Sequence, residues 1–264
     1  MSNETLHRTF PVNGPVRLNV RVDVGRVEIT ADDRNEAAVD VVPLDDSKAT
    51  AGAIERARVE LVGDELIVDM PEKWFGKSGR VGVTIAVPTR SAVTVKVATA
   101  DVVVQGTVGN LDVSTATGDV RVGAVDGDAK VNSASADVRI GAITGAADVK
   151  TASGDVQIEA VATARLQTAS GDLKVGRLEA DAQARTASGD IEIGEAGIGT
   201  IDLNTVSGDV GVRVPSGRLV WLDLSSVSGR TDSELVAEDT PDDAPVVTVR
   251  ARSVSGGILV GRAV

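Results

Sequence analysis

The hexad Thr151-Ala152-Ser153-Gly154-Asp155-Val156 decides how this chain folds, because it returns again and again. Residues 168–173 read TASGDL, 186–191 TASGDI and 205–210 TVSGDV, while upstream 115–120 read TATGDV, 133–138 SASADV and 97–102 VATADV. Residues 226–230 and 253–257 are degenerate copies. Asp101, Asp119, Asp137, Asp155, Asp172, Asp190 and Asp209 mark the register, at spacings of 18, 18, 18, 17, 18 and 19. A period this short leaves no room for a helix pair, a leucine-rich unit or a four-stranded blade. The expected fold is all-β, a parallel β-solenoid (β-helix) in which each repeat is one coil.

Within a repeat the apolar positions alternate. Val120, Val122, Val125, Ala129 and Val131 recur one unit on as Val138, Ile140, Ile143, Ala147 and Val149, and then as Val156, Ile158, Val161, Ala164 and Leu166. Arg121 and Lys130 stand between them and face the other way. Period two means strands. Gly118-Asp119 and, nine residues later, Gly127-Asp128 mark corners, so each coil is expected to hold two short strands and two turns. Two rival solenoids fail on the same residues. A hexapeptide helix needs an aliphatic side chain every sixth position, but Asp126 follows Val120 at that step and Asp128 follows Val122. The calcium-binding nonapeptide needs a glycine pair that is absent from these corners.

Composition narrows the function classes. The chain has 264 residues, 42% hydrophobic but only 2% aromatic, so Val, Ala, Ile and Leu must fill a thin core. A formal charge of -12 repels phosphate and few rings are present for base stacking, which argues against a nucleic-acid partner. No Cys and one His exclude disulfides, thiolate metal sites and multi-histidine metal sites. Residues 1–9 read MSNETLHRT, unlike a signal peptide, and no apolar run is long enough to span a bilayer, so no membrane insertion and a cytoplasmic location are expected.

Residues 1–90 are less regular and are expected to form a β-rich N-terminal cap or irregular first coils, with solenoid repeats over 91–264. Residues 16–24, 26–30, 58–61 and 65–69 alternate like strands, Gly63-Asp64 makes a hairpin-like turn, and 47–58 can form the one short helix. Residues 232–245 read as an acidic loop inserted into a lengthened coil.

Three features could carry chemistry. The aspartate row could bind divalent cations, but each repeat offers one dependable carboxylate where calcium wants six or more oxygens. Corner chemistry, with Asp accepting backbone N–H groups beside a permissive Gly, explains the row without a metal. The hydroxyl pairs Thr115/Thr117, Thr151/Ser153, Thr168/Ser170 and Thr186/Ser188, with Ala between them expected to point inward, resemble an ice-binding array. Ser at most second positions, and the Gly-Asp that follows, favour hydroxyls that satisfy turns and solvent instead. His7 is expected in a mobile N-terminus, and no nucleophile elbow or phosphate loop accompanies it. Trp74-Phe75, flanked by Lys73 and Lys77, read as cap residues or a partner-binding knob. No catalytic, cofactor-binding or metal residues are assigned, no cofactor is expected, and the chain is not expected to be an enzyme.

The hexads, the period, and the Val-Pro-Thr and Val-Pro-Ser steps at 87–89 and 214–216 together resemble the bacterial "putative adhesin" family, a domain of unknown function with β-strand repeats. The resemblance covers nearly the whole chain and is most specific over 85–230. It implies a β-solenoid and no established activity, and its motif is the turn itself, so no site residues carry over. The leading expectation is a non-enzymatic binding or scaffold protein with a protein partner. The alternatives are a self-assembling solenoid that associates end to end, like a cytoskeletal polymer, and a cell-surface adhesin dependent on carbohydrate or calcium.

Overall fold

Alternating Val, Ile and Ala along the chain become strands, with alternate side chains buried, throughout the computed structural model, which describes residues 5–70, 79–236, 241 and 243–263. The chain divides into two compact units, Met1–Ala136 and Asp137–Val264. The fold is all-β with one short helix among the described residues.

The first unit holds β1 (Leu6–Pro11), β2 (Arg17–Asp32), β3 (Glu36–Pro43), α1 (Lys48–Glu55), β4 (Arg58–Val62), β5 (Glu65–Asp69), β6 (Arg80–Pro88), β7 (Ala92–Val108), β8 (Leu111–Thr117), β9 (Val120–Val125) and β10 (Ala129–Ser135). Its parallel ladders start from β2, which runs as a single strand where two were expected. β2 pairs along its length with β7, from Arg17↔Ala92 to Ala31↔Gly106. β8 and then β10 add to the first half of β7, and β9 adds to its second half, each 18 residues on, as in Val93↔Leu111, Leu111↔Ala129 and Val102↔Val120. On the far side of β2 the character changes. β5 and β6 pair with it in parallel, but β4 closes antiparallel on β5, β3 on β6 and β1 on β3. Gly63, at φ 64, makes the expected hairpin turn between β4 and β5. The helix forms where β-branched runs are missing. Ser47 caps it by accepting the Thr50 N–H at 3.1 Å, and Ala49, Ala53 and Ile54 are buried.

The second unit holds β11 (Val138–Lys150), β12 (Val156–Gln167), β13 (Leu173–Leu178), β14 (Ala182–Arg185), β15 (Ile191–Ala196), β16 (Gly199–Asn204), β17 (Val210–Val214), β18 (Leu219–Ser226), β19 (Thr231–Ser233), β20 (Val246–Ser253) and β21 (Ile258–Arg262). Its pairings are all parallel. The first half of β11 pairs with that of β12, followed by β13, β15 and β17. The second halves of the same two strands pair, followed by β14 and β16. Like lies over like, as in Val138↔Val156↔Leu173↔Ile191↔Val210.

Two features depart from the expectation of two short strands and two turns per repeat. In β7, β11 and β12 a corner is a bend inside one long strand, with a register shift in the pairing at Val104/Thr107 and at Ile143/Ala146. β7 also runs straight through the 97–102 copy, where Ala100 occupies the glycine position and no positive φ makes a turn. At the C-terminal end the order of strands stops following the sequence. β20 lies between β16 and β18, and β21 between β17 and β19, so the last repeat of the chain sits inside the one before it.

The inward assignment holds in each repeat. Val138, Val156, Ile158 and Val131 are at most 1% exposed, whereas Arg121, Arg139 and Gln157 are exposed. No side chain in this core is larger than Leu or Ile among the fully buried set.

Candidate functional site

The recurring Gly-Asp corner is the first candidate, because stacked carboxylates repel unless something holds them. In a parallel ladder the Asp of one repeat lies over the Asp of the next, and its side chain is short enough to reach that residue's backbone. It does so throughout. The N–H of Asp119 donates to Asp101 Oδ1 at 3.1 Å, that of Asp155 to Asp137 Oδ1 at 3.1 Å and that of Asp172 to Asp155 Oδ1 at 2.9 Å. Asp190 donates to Asp172 at 2.8 Å, Asp209 to Asp190 at 2.7 Å, and Gly257 to Asp209 at 2.7 Å. The carbonyls bond in the opposite direction: Asp172 O accepts from Val156 N–H and Asp190 O from Leu173 N–H, both at 2.9 Å. Each corner aspartate therefore ties its repeat to both neighbours. Further out, Asp119 meets Arg121 at 2.7 Å and Asp137 meets Arg139 at 3.4 Å, which offsets part of the repulsion.

Glycine is required beside these aspartates. Gly171 has φ +141, and a Cβ there would stand 2.2 Å from the carbonyl oxygen of Gly154. The opposite corner uses the same device with other residues, Asp128 N–H donating to Asn110 Oδ1 at 3.0 Å and Thr200 N–H to Asp181 Oδ1 at 2.7 Å. Among the described residues no group of three or more His, Asp or Glu is placed to hold a metal ion.

The hydroxyl ladder corrects an expectation. Thr115, Thr151, Thr168, Thr186 and Thr205 are the buried members of their hexads, whereas Ala152, Ala169 and Ala187, expected to point inward, are exposed. The physical reason is that the turning backbone leaves a carbonyl inside each corner, and a Thr hydroxyl can reach it where Ala cannot. Thr151 Oγ1 donates to Ser153 O at 2.9 Å and Thr168 Oγ1 to Ser170 O at 3.1 Å, while Thr186 Oγ1 donates to Gly171 O at 3.3 Å, in the preceding repeat. No flat array of paired Thr hydroxyls faces water, which removes the ice-binding reading. Ser133 takes the Thr place in its copy, and its buried Oγ finds no partner.

His7 is not in a loose N-terminus: it lies in β1, across from Asp40. Its Nδ1 is 2.6 Å from Asp40 Oδ1 and its Nε2 is 3.2 Å from Thr9 Oγ1, so a carboxylate, an imidazole and a hydroxyl stand in line. The side chains of His7 and Asp40 are 64% and 44% exposed on an open strand surface, where water competes for every one of these contacts.

A groove of about 580 Å³ lies elsewhere in the first unit. Arg21, Lys96, Ser114 and Asn132 stack across it in ladder register. Sequence reasoning missed it because Arg21 precedes Lys96 by 75 positions and falls outside the 18-residue period. The signal was present in a subtler form, since Leu18-Asn19-Val20-Arg21-Val22 has the same alternation and outward cation as Val93-Thr94-Val95-Lys96-Val97. Trp74-Phe75 and the flanking Lys73 and Lys77 lie outside the described residues, as does part of the acidic 232–245 segment.

A family model described as Toastrack DUF4097 matches residues 17–258. Three solved structures are similar over nearly the full length. One, described as a putative lipid binding protein from Parabacteroides distasonis, has TM-score 0.55 and 15% identity over 97% of this chain and 96% of its own. A putative adhesin from Bacteroides fragilis has TM-score 0.47 and 15% identity over 98% of both chains. A putative adhesin from Parabacteroides distasonis has TM-score 0.48 and 11% identity over 98% of this chain and 97% of its own. At 15% identity the first of these speaks to the fold alone. No curated protein matches.

Proposed function

The chain belongs to the Toastrack DUF4097 family, and we propose that within it this protein is a non-enzymatic β-solenoid that serves as a binding scaffold. In the solenoid reading, each repeat is a flattened coil, the parallel ladders are its two faces, and the buried Val, Ile and Ala rows meet between them. The ladder register supports this reading, since successive repeats pair at 18-residue steps with identical corners.

One observation carries the functional half. The groups that could do chemistry in the repeats are already bonded to backbone: aspartate oxygens accept the N–H groups of the next repeat, and Thr hydroxyls donate to corner carbonyls. A carboxylate held by backbone donors serves poorly as a metal ligand or general base. What remains for a partner is the outward face. There Lys174 pairs with Glu192 at 2.7 Å and Arg177 with Glu195 at 3.1 Å across adjacent repeats, giving a flat, charged surface of mixed sign. Such surfaces recognise partners through complementary charge more than through an enclosed pocket.

The test is retention of a native partner on immobilised protein. Wild type should retain a specific protein from a native cell extract, and Lys174→Glu with Arg177→Glu should lose it with an unchanged melting temperature. Retention indifferent to both substitutions, or specific hydrolytic turnover that is lost with an aspartate substitution, would overturn the reading.

A further inference from the structure

The outermost repeat of the second unit is exposed where the repeats before it are covered. Val220, Leu222 and Leu224 occupy the ladder positions of the buried Val247, Val249 and Ala251. Leu222 is nevertheless 37% exposed, and the other two are only half-buried. Across the repeat, β19 offers Thr231 and Ser233 where β21 offers the buried Ile258 and Val260. On the other face of β18, Trp221 is 70% exposed. The backbone is open too. Leu219 N–H bonds Pro245 O, and the alternation of a parallel ladder then turns the N–H groups of Val220, Leu222 and Leu224 away from β20. An uncapped apolar end with an unpaired edge is a template for another strand.

We propose that this end is a self-association surface, on which a second copy of the chain docks tail to tail about a two-fold axis. The inference rests on the solenoid reading. Charge selects the occupant first. Residues 218–233 carry Arg218 and Arg230 against Asp223 and Asp232, a net charge of zero in a chain of -12, so two copies meet where they do not repel. Geometry selects it second. Both β18 and β19 end a ladder here, and a single peptide strand would cover one of them, whereas a second copy presents both at the same separation. A two-fold axis perpendicular to the strands pairs β18 antiparallel with its copy and keeps the inward row facing inward. Centred on Trp221, it sets that ring against its copy and Val220 against Leu222, with no like charges directly opposed.

The experiment is sedimentation velocity of the full chain across the micromolar range. The average mass is expected to rise with concentration from 27.0 kDa toward twice that value. Leu222→Asp, which puts a carboxylate into the joint, should hold the protein at single-chain mass with its circular dichroism intact. Should that variant misfold, Trp221→Ser changes only an exposed side chain and should weaken the dimer at least about tenfold. In a Trp74→Phe background, Trp221 emission should shift to shorter wavelength as the mass rises. A single-chain mass at every concentration would overturn the proposal, as would a dimer indifferent to both substitutions. So would a Trp221 shielded from acrylamide at single-chain mass, because the chain itself would then cover the end. Failure of the solenoid reading would register separately, as tolerance of a charge at the inward Ile158.

Discussion

Residues 151–214 and residues 217–262 are built from the same repeat, yet they end differently. In the first stretch each step of 17 to 19 residues lays one strand beside its predecessor, and inward side chains such as Ile158, Leu173 and Ile193 are at most 1% exposed. In the second, the connection through the acidic segment lengthens the step, so that Trp221 pairs with Thr248 and Thr200 pairs with the same Thr248 from the other side. Freed from the short step, the last repeat returns inside and leaves its predecessor at the edge. Burial then follows position in the ladder and not position in the chain. The same residue type therefore has different energetic weight in the two stretches, which substitutions can expose.

The widest gap should come from placing one charge in each. Ile158→Asp strands a carboxylate among fully buried neighbours and should cost about 4 kcal/mol or more, enough to lose the cooperative melt. Leu222→Asp, on an edge already open to water, should cost about 1 kcal/mol. Equal losses in a denaturant titration would mean that the end repeat is covered after all.

Glycine gives the next contrast. Gly171→Ala forces a Cβ against the Gly154 carbonyl at a positive φ and should destabilise by about 2 to 4 kcal/mol. Gly217, at φ +74, has nothing within 4 Å of a built Cβ, so Gly217→Ala should cost only about 1 kcal/mol, the strain of the left-handed conformation itself. Thermal melts of the two variants compare them directly; a Gly171→Ala melt as mild as that of Gly217→Ala would break the stacked-corner account.

Aspartates should separate by less. Asp155→Ala leaves the Asp172 N–H without its acceptor, at about 1 to 2 kcal/mol, and Asp155→Asn, which keeps an acceptor oxygen, should be mild. Asp223→Ala removes only an exposed ion pair with Arg252 at 3.6 Å and should fall within about 0.5 kcal/mol. The smallest effect is expected at an exception to the ladder: Ser133→Ala removes a buried hydroxyl that bonds to nothing and should be neutral, whereas Thr168→Ala should cost about 1 kcal/mol. A loss at Ser133 matching that at Thr168 would show that its hydroxyl has found a partner.

These contrasts also mark what could be read from the residues alone. Alternation exposed the strands, and the even aspartate spacing exposed the parallel stacking, because both are periodic and local. The helix at Lys48–Glu55 and the Gly63-Asp64 turn were legible for the same reason. The direction of the corner Thr and Ala was not, because strand alternation does not extend through a turn, where the position of a carbonyl decides which side chain goes inward. The pairing of β2 with β7 was hidden by the 75 residues between them, and the return of β20 and β21 depends on an insertion with no period at all. At the candidate site, the aspartate row was visible but its bonds were not. Turn chemistry and metal binding select the same residue types, and only the geometry of Asp155 Oδ1 on the Asp172 N–H distinguishes them.

The measurement that tests this most directly is a thermal melt repeated with chelator and then with millimolar calcium. If the carboxylates are committed to backbone N–H groups, the two curves should coincide for wild type, and Asp155→Asn should shift both equally. A rise in melting temperature that grows with the logarithm of calcium concentration, and that Asp155→Asn abolishes, would contradict the account and make the aspartate row a cation site.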